Sequence, residues 1–250
     1  MNFKNIVLEK KDGIARIMFN RPDALNALDV ATLREAQKAL DEVRSDDSVG
    51  VVVLTGIGRA FSAGVDLKSV GGQRLEGGNV GGDLNTTARG VILTMEELPK
   101  PVIGMVNGFC LTGGLEVAMG CDMIIASDKS KFGDTHVRWG FRPTWGLSQK
   151  LPRAVGLMKA KELSFTAQMI TAAEAERIGL INKVVPAEEL ESTVISLAKA
   201  ILANSRDAIA AYKALINRGY REDLATGLRM EAETTFAIGD TEERTSQFRK

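Results

Sequence analysis

Short apolar runs that end in glycine recur between residues 50 and 120 and limit the folds open to the chain. VVVLTGIG at 51–58 and VIGMVNG at 102–108 both follow this pattern. Of the 25 glycines in 250 residues, 16 lie between residues 50 and 120. Continuous apolar runs are typical of strands buried on both faces, as in parallel sheets, and glycine is typical of the turns that end them. The pattern predicts an α/β protein.

Hydrophobic periodicity predicts the other elements. Asp29 is a suitable N-cap for a helix that runs to about Ser45. After Pro186 the chain keeps helical periodicity to 238 without a strand pattern, which predicts a helical region packed on the α/β part or on a neighbouring subunit. Predicted strands cover 14–19, 51–55, 102–106, 123–127 and 181–185, and further predicted helices cover 113–120, 146–165 and 171–179.

Residues 68–90 have the weakest structural pattern. Glycine pairs and few large apolar side chains predict a loop that adds little to a core. Long loops inside compact domains are often functional. The segment is therefore either a flexible surface loop or the wall of a pocket.

Composition excludes several functions. Lys plus Arg and Asp plus Glu each total 32, so no net positive charge favours nucleic-acid binding. One histidine and two cysteines are too few for a zinc site of the Cys/His type, and no metal is expected. No apolar stretch approaches the length that spans a membrane, and the first residues lack a signal-peptide pattern, so we expect a cytoplasmic protein.

Several familiar catalytic motifs are also missing. The sequence has no phosphate-binding G-x-x-x-x-G-K-[ST], no G-x-G-x-x-G after a strand and no G-x-S-x-G nucleophile elbow. Nucleotide hydrolysis and nicotinamide-dependent hydride transfer therefore lose support.

The segment NGFCLTGGLEVAMGCD at 107–122 can bind a developing anion. Gly113 and Gly114 follow a predicted strand and open a predicted helix, whose first N–H groups are unpaired and carry the positive end of its dipole. Glu116 stands on the first turn, beside such a site. The alternative is a tight packing point at the glycine pair, with Glu116 only complementing the dipole.

Five segments in order resemble the crotonase superfamily, the enoyl-CoA hydratase/isomerase family. The resemblance covers essentially the whole chain. The segments are Asn20–Leu28 (NRPDALNAL), Phe61–Leu67 (FSAGVDL), Asn107–Glu116 (NGFCLTGGLE), the pair Phe132–Asp134 (FGD) with Pro143–Leu147 (PTWGL), and Ala172–Ile181 (AAEAERIGLI).

The resemblance implies a crotonase-like spiral of ββα repeats over residues 1–195 with the acyl-CoA site, and a helical trimerisation region over 196–250. It implies a homotrimer or a hexamer of two trimers. It implies an acyl-CoA substrate, with coenzyme A as part of the substrate and no separate cofactor. The backbone N–H groups of Val65 and Gly113 would form an oxyanion hole, and residues along the substrate would be Ala24, Leu25, Ala63, Gly64, Asp66, Leu67 and Gly114.

The resemblance also implies the acid–base groups. Hydratases of the family carry one carboxylate at the position of Glu116 and a second at the position of His136. Histidine titrates near neutrality and can act as acid or base. Asp134 and Arg138 are candidates for orienting His136, or are simply solvated charges. Trp139 and Trp145 line an acyl pocket or belong to the core.

We therefore expect an enoyl-CoA hydratase with Glu116 and His136 as catalytic residues. A double-bond isomerase using Glu116 alone, or an acyl-CoA or carbon–carbon hydrolase using His136, remains open on the same scaffold. A catalytically silent binding protein is a further alternative, but the predicted helix at 29–45 mixes both charge signs and forms no basic stripe for RNA.

Overall fold

The structure is a computed structural model that describes residues 3–71 and 76–246. Its strands are β1 (Ile6–Lys11), β2 (Ile14–Phe19), β3 (Val51–Gly56), β4 (Ala60–Ser62), β5 (Val102–Val106), β6 (Phe109–Leu111), β7 (Met123–Ser127), β8 (Lys131–Gly133), β9 (Ile170–Thr171) and β10 (Lys183–Val185). Its helices are α1 (Val30–Arg44), α2 (Leu67–Val70), α3 (Gly82–Glu97), α4 (Gly113–Ala118), α5 (Leu147–Val155), α6 (Leu157–Thr166), α7 (Ala172–Arg177), α8 (Leu190–Leu202), α9 (Arg206–Gly219), α10 (Leu224–Glu233) and α11 (Thr241–Ser246).

Two sheets organise the chain. The larger has the order β1-β2-β3-β5-β7-β10 and is parallel except for the β1–β2 hairpin. The smaller has the order β4-β6-β8-β9, with β8 and β9 antiparallel. In three successive repeats a long strand enters the larger sheet, a short strand enters the smaller sheet, and a helix follows. This arrangement confirms the predicted spiral of ββα repeats.

Both faces of the larger sheet are buried, which explains the continuous apolar runs. Val52 and Leu54 of β3 join the main core with α1 and α3, whereas Val51 and Val53 face the opposite side. There they meet an apolar cluster built on α8. The alternation of side chains along a strand supplies both cores from one run.

The C-terminal helices begin on this core and then extend beyond it. The predicted boundary after residue 195 falls within α8, which packs on the larger sheet. In α9, Lys213 Nζ donates to the carbonyl oxygens of Met95 and Lys100 and lies 2.7 Å from Asp122 Oδ2, which fixes that helix to the core. Apolar side chains of α9 and α10 are exposed, and a cavity of about 1200 Å³ lies between α9 and the core. The division into two domains stays a prediction.

Three sequence expectations need correction. The loop predicted over 68–90 contains α2 and the first half of α3, because Leu84, Ala88 and Val91 form a buried helical stripe that the glycines obscured; residues 72–75 of it lie outside the described residues. The helix predicted over 146–165 is two helices, since Gly156 adopts φ +81 and separates α5 from α6. The strand predicted from 181 begins at Lys183.

Four short strands were not predicted from the sequence. β4, β6, β8 and β9 have two or three residues each, too few for an alternation to be visible. These strands form the smaller sheet, and the candidate site lies at its end.

Candidate active site

The loops that follow β4, β6 and β8 meet at one place. A Cβ on Gly114 would lie 2.4 Å from the carbonyl oxygen of Ser62, and a Cβ on Gly64 would lie 2.9 Å from that of Leu111. Glycine at these positions lets the two backbones approach each other more closely than any other residue would. The two glycine segments singled out in the sequence therefore form one surface.

The loop at 20–28 lies against the same surface. The N–H of Ala63 donates to Leu25 O across 3.0 Å, and the N–H of Leu28 donates to Gly64 O across 2.7 Å. Leu25 itself has φ +51, directly after the short 3₁₀ turn Pro22–Ala24. The residues expected along the substrate, from Ala24 to Gly114, are thus neighbours in space.

Two backbone N–H groups are available to a ligand here. Gly113 is the first residue of α4, so its N–H has no partner within the helix. Val65 pairs with Leu28 in an isolated parallel bridge, whose hydrogen bonds use Gly64 O and Asp66 N–H. The N–H of Val65 lies outside that bonding pattern. A pair of such donors can stabilise an oxyanion.

Thr112, the residue directly before α4, has a strained backbone conformation. Its φ of 51° and ψ of −116° are unusual for a residue with a side chain. Its N–H donates to Gly133 O across 2.8 Å, and its hydroxyl lies 3.0 Å from that of Thr135. These bonds connect the helix start to the segment that carries His136.

Glu116 is buried, and backbone hydrogen bonds hold one of its two carboxylate oxygens. Its exposed fraction is 1%. Oε1 accepts hydrogen bonds from the backbone N–H of Trp145 at 2.9 Å and of Leu147 at 3.2 Å. Oε2 lies 3.5 Å from His136 Nε2. The carboxylate is therefore held in one orientation, with Oε2 facing the histidine.

Asn85 of α3 supports this anchor. Its sequence position did not identify it as a site residue. Its Oδ1 accepts hydrogen bonds from Trp145 Nε1 and from the Thr144 hydroxyl, both at 2.8 Å. It is buried, and its Nδ2 donates to Asn79. An asparagine within a segment interpreted as loop carries no sequence signal that separates it from surface asparagines.

His136 is buried between two carboxylates. Its Nδ1 lies 2.6 Å from Asp134 Oδ1, and its Nε2 faces Glu116. Burial alone would lower the pKa of the imidazole, but the hydrogen bonds and charges of Asp134 and Glu116 outweigh it and raise that pKa to about 9. The pKa of Asp134 is lowered, because the hydrogen bonds from His136 and Ser164 outweigh its own desolvation.

The remaining candidate residues differ in their exposure and in the contacts that they make. Arg138 and Trp139 are exposed, whereas Trp145 is buried with its ring against Gly113. Asp66 caps α2 and pairs with Arg21 across 2.7 Å, which lowers the pKa of Asp66 despite its desolvation. The side chain of Asp66 thus supports the loop at 20–28.

Within residues 3–71 and 76–246, no cluster of three or more acidic, histidine or cysteine side chains is suited to a metal ion. Nor does any helix in those ranges combine the length and the apolar character needed to cross a bilayer.

Comparison with known proteins identifies the fold and the family. The crystal structure of an enoyl-CoA hydratase from Bacillus anthracis matches with a TM-score of 0.87 and 36% identity, over 92% of this chain and 89% of that one. The fold is therefore the crotonase fold. The family model described as enoyl-CoA hydratase/isomerase matches residues 9–248. The chain belongs to the enoyl-CoA hydratase/isomerase family.

Curated relatives match along nearly their full length. A short-chain-enoyl-CoA hydratase of Clostridium acetobutylicum is 42% identical, over 98% of this chain and 93% of the relative. A probable peroxisomal enoyl-CoA hydratase 1 of Arabidopsis thaliana is 41% identical, over 99% of this chain and 91% of the relative.

Proposed function

We propose that the protein is an enoyl-CoA hydratase, which adds water across the 2,3 double bond of a 2-enoyl-CoA thioester. The observation that carries the proposal is the buried pair of Glu116 and His136, 3.5 Å apart and beside the start of α4. Hydration needs one group that accepts a proton from water and one that donates a proton to carbon. The full-length similarity to hydratases at about 40% identity supports the same activity.

The oxyanion hole of this proposal consists of the N–H groups of Val65 and Gly113. They would donate to the thioester oxygen as the double bond accepts water and that oxygen becomes an enolate. Removing one such donor in other enzymes costs roughly 3–4 kcal/mol of transition-state stabilisation. Because both donors are backbone groups, their geometry depends on the close packing at Gly64 and Gly114.

The acid and base follow from the surroundings of each group. A pKa of about 9 keeps His136 protonated near neutral pH, so we assign it the acid role and Glu116 the base role. A water molecule can contact both Oε2 and Nε2, since their separation of 3.5 Å lets each lie within hydrogen-bond distance of one oxygen atom.

The proton balance of the cycle closes within the pair. Glu116 takes a proton from water as the water oxygen bonds to C3, and the electron pair of the double bond moves to the thioester oxygen. His136 then gives its proton to C2, and the enolate returns to the thioester. Glu116 returns its proton to His136 across their 3.5 Å contact, which restores the starting state.

Substrate binding in this proposal uses backbone more than surface charge. Ala24, Leu25, Ala63, Gly64, Asp66, Leu67 and Gly114 would lie along the coenzyme A portion and the thioester. Because the formal charge is zero, a few local Lys or Arg side chains and backbone amides would meet the phosphates.

Assembly and location belong to the same proposal. Exposed apolar side chains on α9 and α10, among them Ile216 and Leu224, support a homotrimer or a hexamer of two trimers. Both cysteines are free thiols, which supports the reducing cytoplasm.

The test is the loss of absorbance of the conjugated thioester with crotonyl-CoA and with longer or branched 2-enoyl-CoA substrates. We expect turnover in wild-type protein and a loss of at least about a hundredfold in Glu116→Gln. No turnover on these substrates, together with isomerisation of a 3-enoyl-CoA, would assign an isomerase. Release of free coenzyme A thiol instead would assign a hydrolase, and failure of all three assays would leave a binding protein.

A further inference from the structure

Asp134 is a buried carboxylate that the proposed reaction does not itself require. Its exposed fraction is 3%, and Oδ1 lies 2.6 Å from His136 Nδ1 and 3.3 Å from the backbone N–H of the same residue. From α6, the Ser164 hydroxyl hydrogen-bonds to the same carboxylate. Asp134 therefore has partners on both sides of the segment that joins β8 to the 3₁₀ turn His136–Trp139.

We propose that Asp134 is a positioning residue that binds the Nδ1–H of His136, fixes the ring with Nε2 toward Glu116, and keeps the imidazole charged between turnovers. The proposal rests on the function proposed above and deepens it.

The geometry explains why a histidine at this position needs such a partner. A neutral imidazole carries its proton on either nitrogen, and the hydrogen bond made by one nitrogen selects the form. With Nδ1–H bonded to Asp134, the proton that leaves during catalysis comes from Nε2, the nitrogen that faces Glu116. A carboxylate side chain at position 136 would have no such ambiguity, so the requirement is specific to histidine.

The charges around the ring act in one direction. Glu116 faces His136 from α4, and Asp134 faces it from its own segment; Ser164 is the uncharged polar group from α6 that reaches the pair through Asp134. Two carboxylates beside one buried imidazole favour the imidazolium. Loss of the Asp134 charge would leave burial opposed by Glu116 alone.

The single histidine of the chain makes the test direct. In tag-free protein, every imidazole signal in an NMR spectrum belongs to His136. We expect wild type to titrate at a pKa near 9 with both ring nitrogens protonated below it. In Asp134→Asn, the asparagine oxygen can still accept from Nδ1–H, but the charge is gone, so the pKa should fall by about one unit or more.

Activity provides the second readout. The basic limb of the pH profile for kcat with crotonyl-CoA should move to lower pH as the imidazole pKa falls. At neutral pH, kcat should fall by at least about tenfold. KM should change less than kcat, because Asp134 has no proposed contact with substrate. Asp128→Asn is the matched control, an exposed aspartate in the turn before β8, and should match wild type in both readouts.

An unchanged imidazole pKa in folded Asp134→Asn would overturn the proposal, and so would an unchanged pH profile. If Asp134→Asn does not fold, Ser164→Ala provides the test, because it removes a hydrogen-bond donor to Asp134 and keeps the Asp134 carboxylate. The imidazole signal of His136 should then shift in the folded variant. An unshifted signal would count against the proposal. The NMR titration needs no substrate. Absence of hydratase activity with an Asp134-dependent imidazole would therefore refute the proposed function and leave the positioning role intact.

Discussion

The backbone N–H of Trp145 donates to Oε1 of Glu116 across 2.9 Å, and the indole of the same tryptophan donates to Asn85. One residue thus connects the proposed base to a helix that lies far from it in sequence. The chain segment 144–147 is the support on which the orientation of Glu116 depends.

Replacement of Asn85 by alanine should weaken that support. It leaves the Trp145 Nε1–H and the Thr144 hydroxyl without their buried acceptor, at a cost of about 1–3 kcal/mol in the free energy of unfolding. We expect kcat with crotonyl-CoA to fall as well, because segment 144–147 loses its anchor. Urea unfolding and steady-state kinetics measure the two effects, and the neighbouring exposed Thr86→Ala is the control. Equal behaviour of both variants would contradict the role of Asn85.

His136 should make stability depend on pH above neutrality. Its pKa is about 9 in the folded protein and 6.5 in the unfolded chain. Because the pKa is raised on folding, the charged imidazole contributes its full stabilisation below pH 6.5, and this contribution is lost as the pH rises through 9. The difference in unfolding free energy between wild type and His136→Gln should therefore become less favourable to wild type across that window. A difference that stays constant between pH 6.5 and 9 would contradict a raised pKa of His136 in the folded protein.

His136→Gln should also abolish most catalysis. Glutamine keeps a polar side chain near Glu116 but cannot transfer a proton at neutral pH, so kcat should fall at least about a hundredfold. Thermal unfolding at neutral pH establishes that the variant is folded. Full activity in a folded His136→Gln protein would remove His136 from the catalytic residues.

Two glycine-to-alanine variants separate close packing from chain flexibility. Gly114→Ala would bring its Cβ within 2.4 Å of Ser62 O, so the oxyanion-hole loops must move apart, at a cost of about 1–3 kcal/mol in stability and with a loss of kcat. Gly90→Ala, on the exposed side of α3 with its nearest neighbour at 3.9 Å, should instead stabilise by about 0.5–1 kcal/mol. Calorimetry and the hydratase assay distinguish them; a tolerated Gly114→Ala would contradict the packing argument.

A charge on the exposed apolar face of α10 should disturb assembly. Leu224 is 78% exposed in the single chain. Leu224→Glu should lower the mass measured by light scattering if that face contacts a neighbouring subunit, because an uncompensated charge is costly to bury. Lys11→Glu, at the exposed end of β1, is the control. A monomeric wild type would refute the proposed trimer.

The buried strands of the larger sheet could be predicted because their apolar runs are long enough to show a pattern, whereas the largely exposed edge strand β1 was not predicted. The strand predictions at 14–19, 102–106 and 123–127 match the strands of the structure, and Asp29 does cap α1 through the N–H of Thr32. The smaller sheet could not be predicted, since its strands are stabilised by neighbours distant in sequence and have little pattern of their own.

The candidate site shows the same division. Glu116 and His136 were selected by their positions within motifs, and their contact could then be measured. Asn85, the donors of Trp145 and Leu147, and the double role of Asp134 depend on three-dimensional packing, which no single segment encodes. Asp66 was expected along the substrate, but its pairing with Arg21 could not be foreseen from two residues 45 positions apart.

The three ββα repeats divide the labour of the proposed site. The loop after β4 carries Val65, the start of α4 shortly after β6 carries Gly113, and the segment after β8 carries Asp134 and His136. Each turn of the spiral thus supplies one component from an equivalent position. Exchange of the Asp134 or His136 side chain can alter the proton chemistry, while the N–H donors proposed in the two earlier turns belong to the backbone and are not removed by such an exchange. Such a scaffold can acquire a new reaction by changing one loop, and a histidine–aspartate pair where the family resemblance led us to expect a carboxylate is the kind of exchange that this modularity permits.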